Sequence, residues 1–111
     1  MKKKLIILGV IIVLISAGCS SENELDKILK KENYTVVDVR TKEEYEQGHV
    51  KNAVNIPYDT INKNVALDKN KTILVYCKSG KRSSIAYDVL KDLGYNVYNL
   101  GAYNTITLEK E

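Results

Sequence analysis

The 111-residue chain has no tryptophan, a single histidine and only two cysteines. One imidazole and two widely separated thiols leave a zinc site without its ligands, so no metal is expected. Cys19 and Cys77 allow at most one disulfide, and one bridge to an N-terminal tail would stabilise little. There are no internal repeats and no low-complexity segment. Nor is there a usable surplus of charge. The net +3 is carried by Lys2, Lys3 and Lys4, and residues 5–18 carry none. The other 93 residues hold 14 basic and 14 acidic side chains, which removes the nucleic-acid partner that a basic chain would suggest. The 44% hydrophobic content excludes a disordered chain. The length fits one compact domain.

What is present begins with an address. Lys2–Lys4 precede an unbroken apolar run from Leu5 to Ile15, followed by Ser16-Ala17-Gly18-Cys19. A charged start, a short apolar core and small residues make up a secretory signal peptide over residues 1–18. The run is shorter than the ~20 apolar residues that cross a bilayer. Ser16-Ala17-Gly18-Cys19 resembles the lipobox of bacterial lipoproteins, with Ser16 where leucine is usual. That resemblance implies lipidation of Cys19 and an extracytoplasmic domain over residues 19–111, anchored to a bacterial membrane. The alternative use of Cys19 is a disulfide with Cys77.

Ser21-Glu22-Asn23-Glu24 has the form of a capping box, with Leu25, Ile28 and Leu29 on one face of the helix that follows. At ~3.5 Å per extended residue, the tether from Cys19 would keep the domain within about 10 Å of the bilayer. Residues 34–39 (YTVVDV) read as a buried strand, Lys42 to Gln47 as a short helix, and 53–56 as a strand closed by Pro57. Ile61, Val65 and Leu67 are spaced for a small helix and loop. Residues 72–76 (TILVY) are continuously apolar, as in a central parallel strand. Arg82 to Leu93 reads as a helix stopped by Gly94, Asn96 to Leu100 as a last strand, and Ala102 to Glu109 as a terminal helical turn. Alternating strands and helices define an α/β fold with a parallel sheet.

The chemistry concentrates in Tyr76-Cys77-Lys78-Ser79-Gly80-Lys81-Arg82-Ser83-Ser84. A buried strand ends, a glycine-containing loop turns, and a helix begins. Carboxyl ends of parallel strands are where ligands bind, and a helix N-terminus offers unpaired N–H groups. A cysteine there is stabilised as its thiolate. All five charged residues from Lys69 to Tyr87 are positive, which marks an anion-binding mouth. The plainer alternative makes Cys77 a small buried hydrophobe and the cations a solvated loop.

The CKSGKRS loop, together with VVDVRTKEEYEQGHVKNAVNIP over residues 36–57, resembles the rhodanese family of sulfurtransferases. The likeness runs from Tyr34 to Ala102. It departs at Asn52, where glycine is usual, at Gly101-Ala102, where the family has a glycine pair, and in lacking a tryptophan. Asparagine at 52 tolerates the left-handed backbone as glycine does. The family implies a five-stranded parallel sheet flanked by helices. The extra strand would precede Tyr34, where the pattern reads as helix.

The resemblance also implies roles. Cys77 would be the nucleophile, taking sulfane sulfur from an anionic donor such as thiosulfate and passing it to a thiol or cyanide. Amides of Lys78, Ser79, Gly80, Lys81 and Ser83 would cradle the persulfide, and Arg82 would hold the donor's oxygens, aided by Lys78 and Lys81. Asp38 and Arg40 would support the loop, with Arg40 paired to Glu43 or Glu44, or would form a plain surface ion pair. His49 occupies a structural position. No organic cofactor is implied, and a monomer is expected. Two other functions compete: a non-catalytic sulfur carrier or binding module, and a rhodanese-like phosphatase or arsenate reductase. The latter enzymes place five residues between cysteine and arginine, where this chain has four.

Overall fold

The computed structural model describes residues 23–111, so the signal segment and Cys19 lie outside the described residues. Among these residues no helix is long and apolar enough to cross a membrane. Helix α1, Glu24–Lys31, belongs to a first unit that ends at Lys31. It is capped by Asn23, whose Oδ1 accepts the Asp26 amide at 2.9 Å. The cap expected at Ser21 lies outside the described residues. Glu24 and Asp26 in its first turn and Lys30 and Lys31 in its last complement the helix dipole.

The second unit, Glu32–Glu111, carries the sheet. Its strands are β1 (Tyr34–Asp38), β2 (Val54–Asn55), β3 (Thr72–Cys77) and β4 (Val97–Ala102). They lie in the order β2–β1–β3–β4, all parallel. Four strands are described where the family pattern implied five, because the element described before β1 is the helix α1. β3 is buried at every residue after Thr72, which is why residues 72–76 read as an apolar run, and β1 is buried over Val36–Asp38. Alternation sends Val37, Val39, Ile73, Val75 and Cys77 into one core with Ala86 and Leu90. Burial of each such Val, Ile or Leu contributes about 1.5–3 kcal/mol.

Helix α2, Lys42–Glu46, opens with a complete capping box between Thr41 and Glu44. Helix α3, Lys81–Asp92, starts one residue earlier than the sequence pattern and presents Ser83, Ala86 and Leu90 to the core. The helix expected around Ile61 is instead a 3-10 turn over Tyr58–Thr60. Beyond it, the Asn62 and Asp68 side chains accept the amides of Asn64 and Asn70, both at 2.8 Å. Such local bonds compete with helix formation. Ile61 still reaches the core, and Val65 and Leu67 pack against it.

The last strand runs two residues past its expected end. A register shift between Val75 and Tyr76 sets Gly101 opposite Tyr76 and Ala102 opposite Cys77. The helix expected over 102–109 is only a 3-10 turn, Tyr103–Thr105. The chain then returns antiparallel to residues 49–51, where His49 and Glu111 exchange both backbone bonds at 2.9 and 2.8 Å. Asn52 adopts φ +67°, the left-handed conformation that the glycine-like position requires.

Candidate active site

β3 delivers Cys77 to the carboxyl edge of the sheet, and α3 begins four residues later. The loop between them wraps the sulfur. The Gly80 amide donates to Cys77 Sγ at 3.0 Å and the Ser83 amide at 3.2 Å. Gly80 can aim its amide there because it sits at φ +100°, where a side chain would be strained. Its carbonyl is pinned by three donors: the Ser84 amide at 3.2 Å, the Ser84 hydroxyl at 2.9 Å and the Ser83 hydroxyl at 3.1 Å. Cys77 is fully buried.

Burial alone would push the thiol up. The Ser83 hydroxyl and the amides of Ser83, Gly80 and Ser79 outweigh it, so Cys77 ionises below an ordinary thiol. Ser83 Oγ lies 3.5 Å from the sulfur. In the thiol form it accepts from S–H while donating to the Gly80 carbonyl. In the thiolate form its single proton can turn to the sulfur.

The other expected residues fall into two groups. Arg40 does not pair with Glu43 or Glu44 as expected. It closes on Asp38 instead, with Nη2 at 2.6 Å from Oδ2 and Nε at 2.9 Å from Oδ1. Neither is a surface residue, since the two side chains are 7% and 0% exposed. Arg40 Nη2 also donates to the Gly48 carbonyl at 2.7 Å. The Tyr76 hydroxyl donates to Asp38 Oδ2 at 2.8 Å and accepts the Val50 amide at 2.9 Å. The Tyr103 ring covers the guanidinium at 4.4 Å. Burial would lower the Arg40 pKa, but the Asp38 carboxylate more than reverses this.

Arg82, rather than Arg40, pairs with Glu44. Its Nη1 and Nη2 donate to Glu44 Oε1 and Oε2 at 2.8 and 3.1 Å, with both side chains 26% exposed. Arg82 holds the Glu44 carboxyl at about 2, with help from the Thr41 amide. Lys78 and Lys81 are exposed. His49 stacks on the Tyr45 ring at 3.8 Å, with Nδ1 at 2.9 Å from the Tyr45 carbonyl and Nε2 at 3.3 Å from Glu111. These contacts occupy both ring nitrogens away from the sulfur.

A groove of about 570 Å³ opens beside the loop, with Arg40, Glu44, Gln47, Lys78, Ser79 and Tyr103 in its walls. Such a volume suits a small ligand. Among the described residues no group of three or more His, Cys, Asp or Glu side chains could hold a metal ion. Sequence reading missed Tyr76 and Tyr103. Tyr76 stands in the loop motif only as the end of a strand, and Tyr103 in no motif, because their roles depend on contacts with residues distant in sequence.

The rhodanese-like domain family matches residues 21–107, and the chain belongs to that family. It is 40% identical over 78 residues to the thiosulfate sulfurtransferase PspE of Escherichia coli, covering 67% of this chain and 75% of that one. A putative sulfur carrier protein, YrkF of Bacillus subtilis, is 36% identical over 62% of this chain and 38% of its own length. Among solved structures, a rhodanese with anions from E. coli superposes with a TM-score of 0.64 and 37% identity. That match covers 70% of this chain and 96% of the other. A rhodanese-like domain protein from Staphylococcus aureus gives 0.61 and 32%, over 68% and 76% of the two chains.

Proposed function

We propose that the protein is a sulfurtransferase working through a persulfide on Cys77. The observation that carries this reading is the pair of amides aimed at one buried sulfur at 3.0 and 3.2 Å, beside a Ser83 hydroxyl at 3.5 Å that can turn its proton to the thiolate. These groups favour the thiolate, which is the nucleophile. In the first step it attacks the sulfane sulfur of the donor. With thiosulfate, the donor's S–S bond breaks, a Cys77 S–S bond forms and sulfite leaves with the electron pair. A thiol or cyanide then attacks the outer sulfur and restores the Cys77 thiolate. The loop amides stay aimed at negative charge throughout, with no reorganisation.

Lys78 and Lys81 would draw an anionic donor to the mouth, and Arg82 would meet its oxygen atoms only by giving up its contact with Glu44. The Asp38–Arg40–Tyr76 cluster would hold the sheet edge on which the loop stands. Residues 1–18 would be removed as a signal peptide, and a lipid on Cys19 would keep the domain outside the cytoplasm at a bacterial membrane.

The likeness to a putative sulfur carrier favours one second reading, in which Cys77 holds sulfur without turnover. Intact mass after thiosulfate treatment separates the readings. The expected result is a gain of one sulfur that cyanide removes repeatedly, and no gain in Cys77→Ser. A gain that cyanide cannot discharge would leave the carrier, and no gain with any sulfur donor would sink both. Cys77-dependent hydrolysis of an aryl phosphate would instead restore the phosphatase reading.

A further inference from the structure

Arg82 is the arginine at the start of α3, yet both of its outer nitrogens are already occupied by Glu44. This is not a passing surface contact. Glu44 is held in place by its own helix, since Oε1 also accepts the Thr41 amide at 3.0 Å and the Thr41 hydroxyl at 3.1 Å. Two-point contact between guanidinium and carboxylate is the same geometry a sulfonate or sulfate group would use. Glu44 also stands in the groove wall with Lys78 and Ser79, so its charge faces anything entering there. Lys78 and Lys81 have no hydrogen-bonded partner among the described residues, but as exposed ammonium groups they offer only a point attraction that salt screens.

We propose that Glu44 is a specificity-determining residue. Its carboxylate takes the edge of Arg82 that a donor's oxygen atoms would use. The site is thereby turned away from donors whose charge lies on oxygen, thiosulfate included, and towards hydropersulfides, which carry no charged oxygen and need no guanidinium. With a hydropersulfide RS–SH, the Cys77 thiolate attacks the outer sulfur and the RS–S bond breaks. RS⁻ leaves with the electron pair, and Cys77–S–SH remains. Atoms and charge balance with no added oxidant or reductant. The proposal rests on the sulfurtransferase reading for its donors, but the competition for Arg82 does not.

The test is Glu44→Gln, which retains an oxygen for the capping box with Thr41 while removing the charge. Sulfate, which cannot react, is titrated against the amide signals of residues 78–83. E44Q is expected to bind it about tenfold more tightly than the unaltered protein, and E44Q/R82Q to lose that gain. Sulfur loading of Cys77, followed by mass, is expected to quicken about tenfold from thiosulfate in E44Q and to change less than about twofold from an alkyl hydropersulfide. Equal sulfate affinity in the unaltered protein and E44Q would overturn the proposal, as would a gain that survives in the double variant. Equal acceleration with both donors would overturn the discrimination. If no donor loads Cys77 in either protein, the sulfurtransferase reading fails, while the sulfate titration still decides whether Glu44 competes for Arg82.

Discussion

Tyr76 and Cys77 are neighbours on one strand, and their side chains leave opposite faces of the sheet to build opposite kinds of site. On one face, Tyr76, Asp38 and Arg40 form a cluster in which the ions satisfy one another almost out of contact with water. On the other, Cys77 is held by the amides of Gly80 and Ser83 and by the Ser83 hydroxyl, with no ion among its hydrogen-bond partners in the described residues. The site holds two arginine–carboxylate pairs, and burial separates their roles. Arg40–Asp38 is fixed because neither ion could stay buried alone. Arg82–Glu44 is partly solvated, so either member can exchange its partner for water or a ligand at modest cost. The same pair of groups serves as frame in one place and as adjustable contact in the other.

The sharpest way to break this contrast is Arg40→Met, which strands a buried carboxylate. It should cost about 3–5 kcal/mol by urea unfolding. Asp38→Asn combined with Arg40→Met should cost less than Arg40→Met alone, since the stranded charge is gone. A loss under 1 kcal/mol for Arg40→Met would mean that the cluster is not the frame described. Next comes Tyr76→Phe, which leaves the Val50 amide without its acceptor and Asp38 with one donor fewer. An expected loss of about 1–3 kcal/mol follows, with Cys77 still loading sulfur. If Cys77 stops loading in a folded Tyr76→Phe, the two faces are not independent.

The smallest effect belongs to the solvated pair. Glu44→Gln should change stability by less than about 1 kcal/mol at neutral pH. The sign follows from the lowered Glu44 carboxyl. Its contribution is complete above the ordinary carboxylate range of about 4.3 and is lost as pH falls towards about 2. Urea midpoints of the unaltered protein and E44Q should therefore differ most above pH 5 and converge on acidification. A difference that grows in acid would contradict the assignment.

Much of the sheet and the loop was legible in sequence, because both rest on local physics. Residues 72–76 are apolar without a break since β3 is buried on both sides, and Lys78-Ser79-Gly80 reads as a turn into a helix. Long-range pairing was not legible. The family pattern suggests Glu43 or Glu44 as the partner of Arg40. The partner it takes is Asp38, two residues back, because the chain turns at the strand end and Tyr76 secures the carboxylate from another strand. The Arg82–Glu44 pair joins residues 38 apart in sequence, a separation no local pattern reports. The extra length of β4 was hidden by the register shift that seats Gly101 and Ala102 beside the active strand end.

Glu44 Oε1 belongs at once to the start of α2 and to the start of α3. A single oxygen thus links the fraying of one helix to events at another. When a ligand takes Arg82, that oxygen is left to Thr41 alone, and the first turn of α2 feels the change. Amide hydrogen exchange at the beginning of α2 would then act as a remote gauge of occupancy at the end of α3, with no label placed near the sulfur.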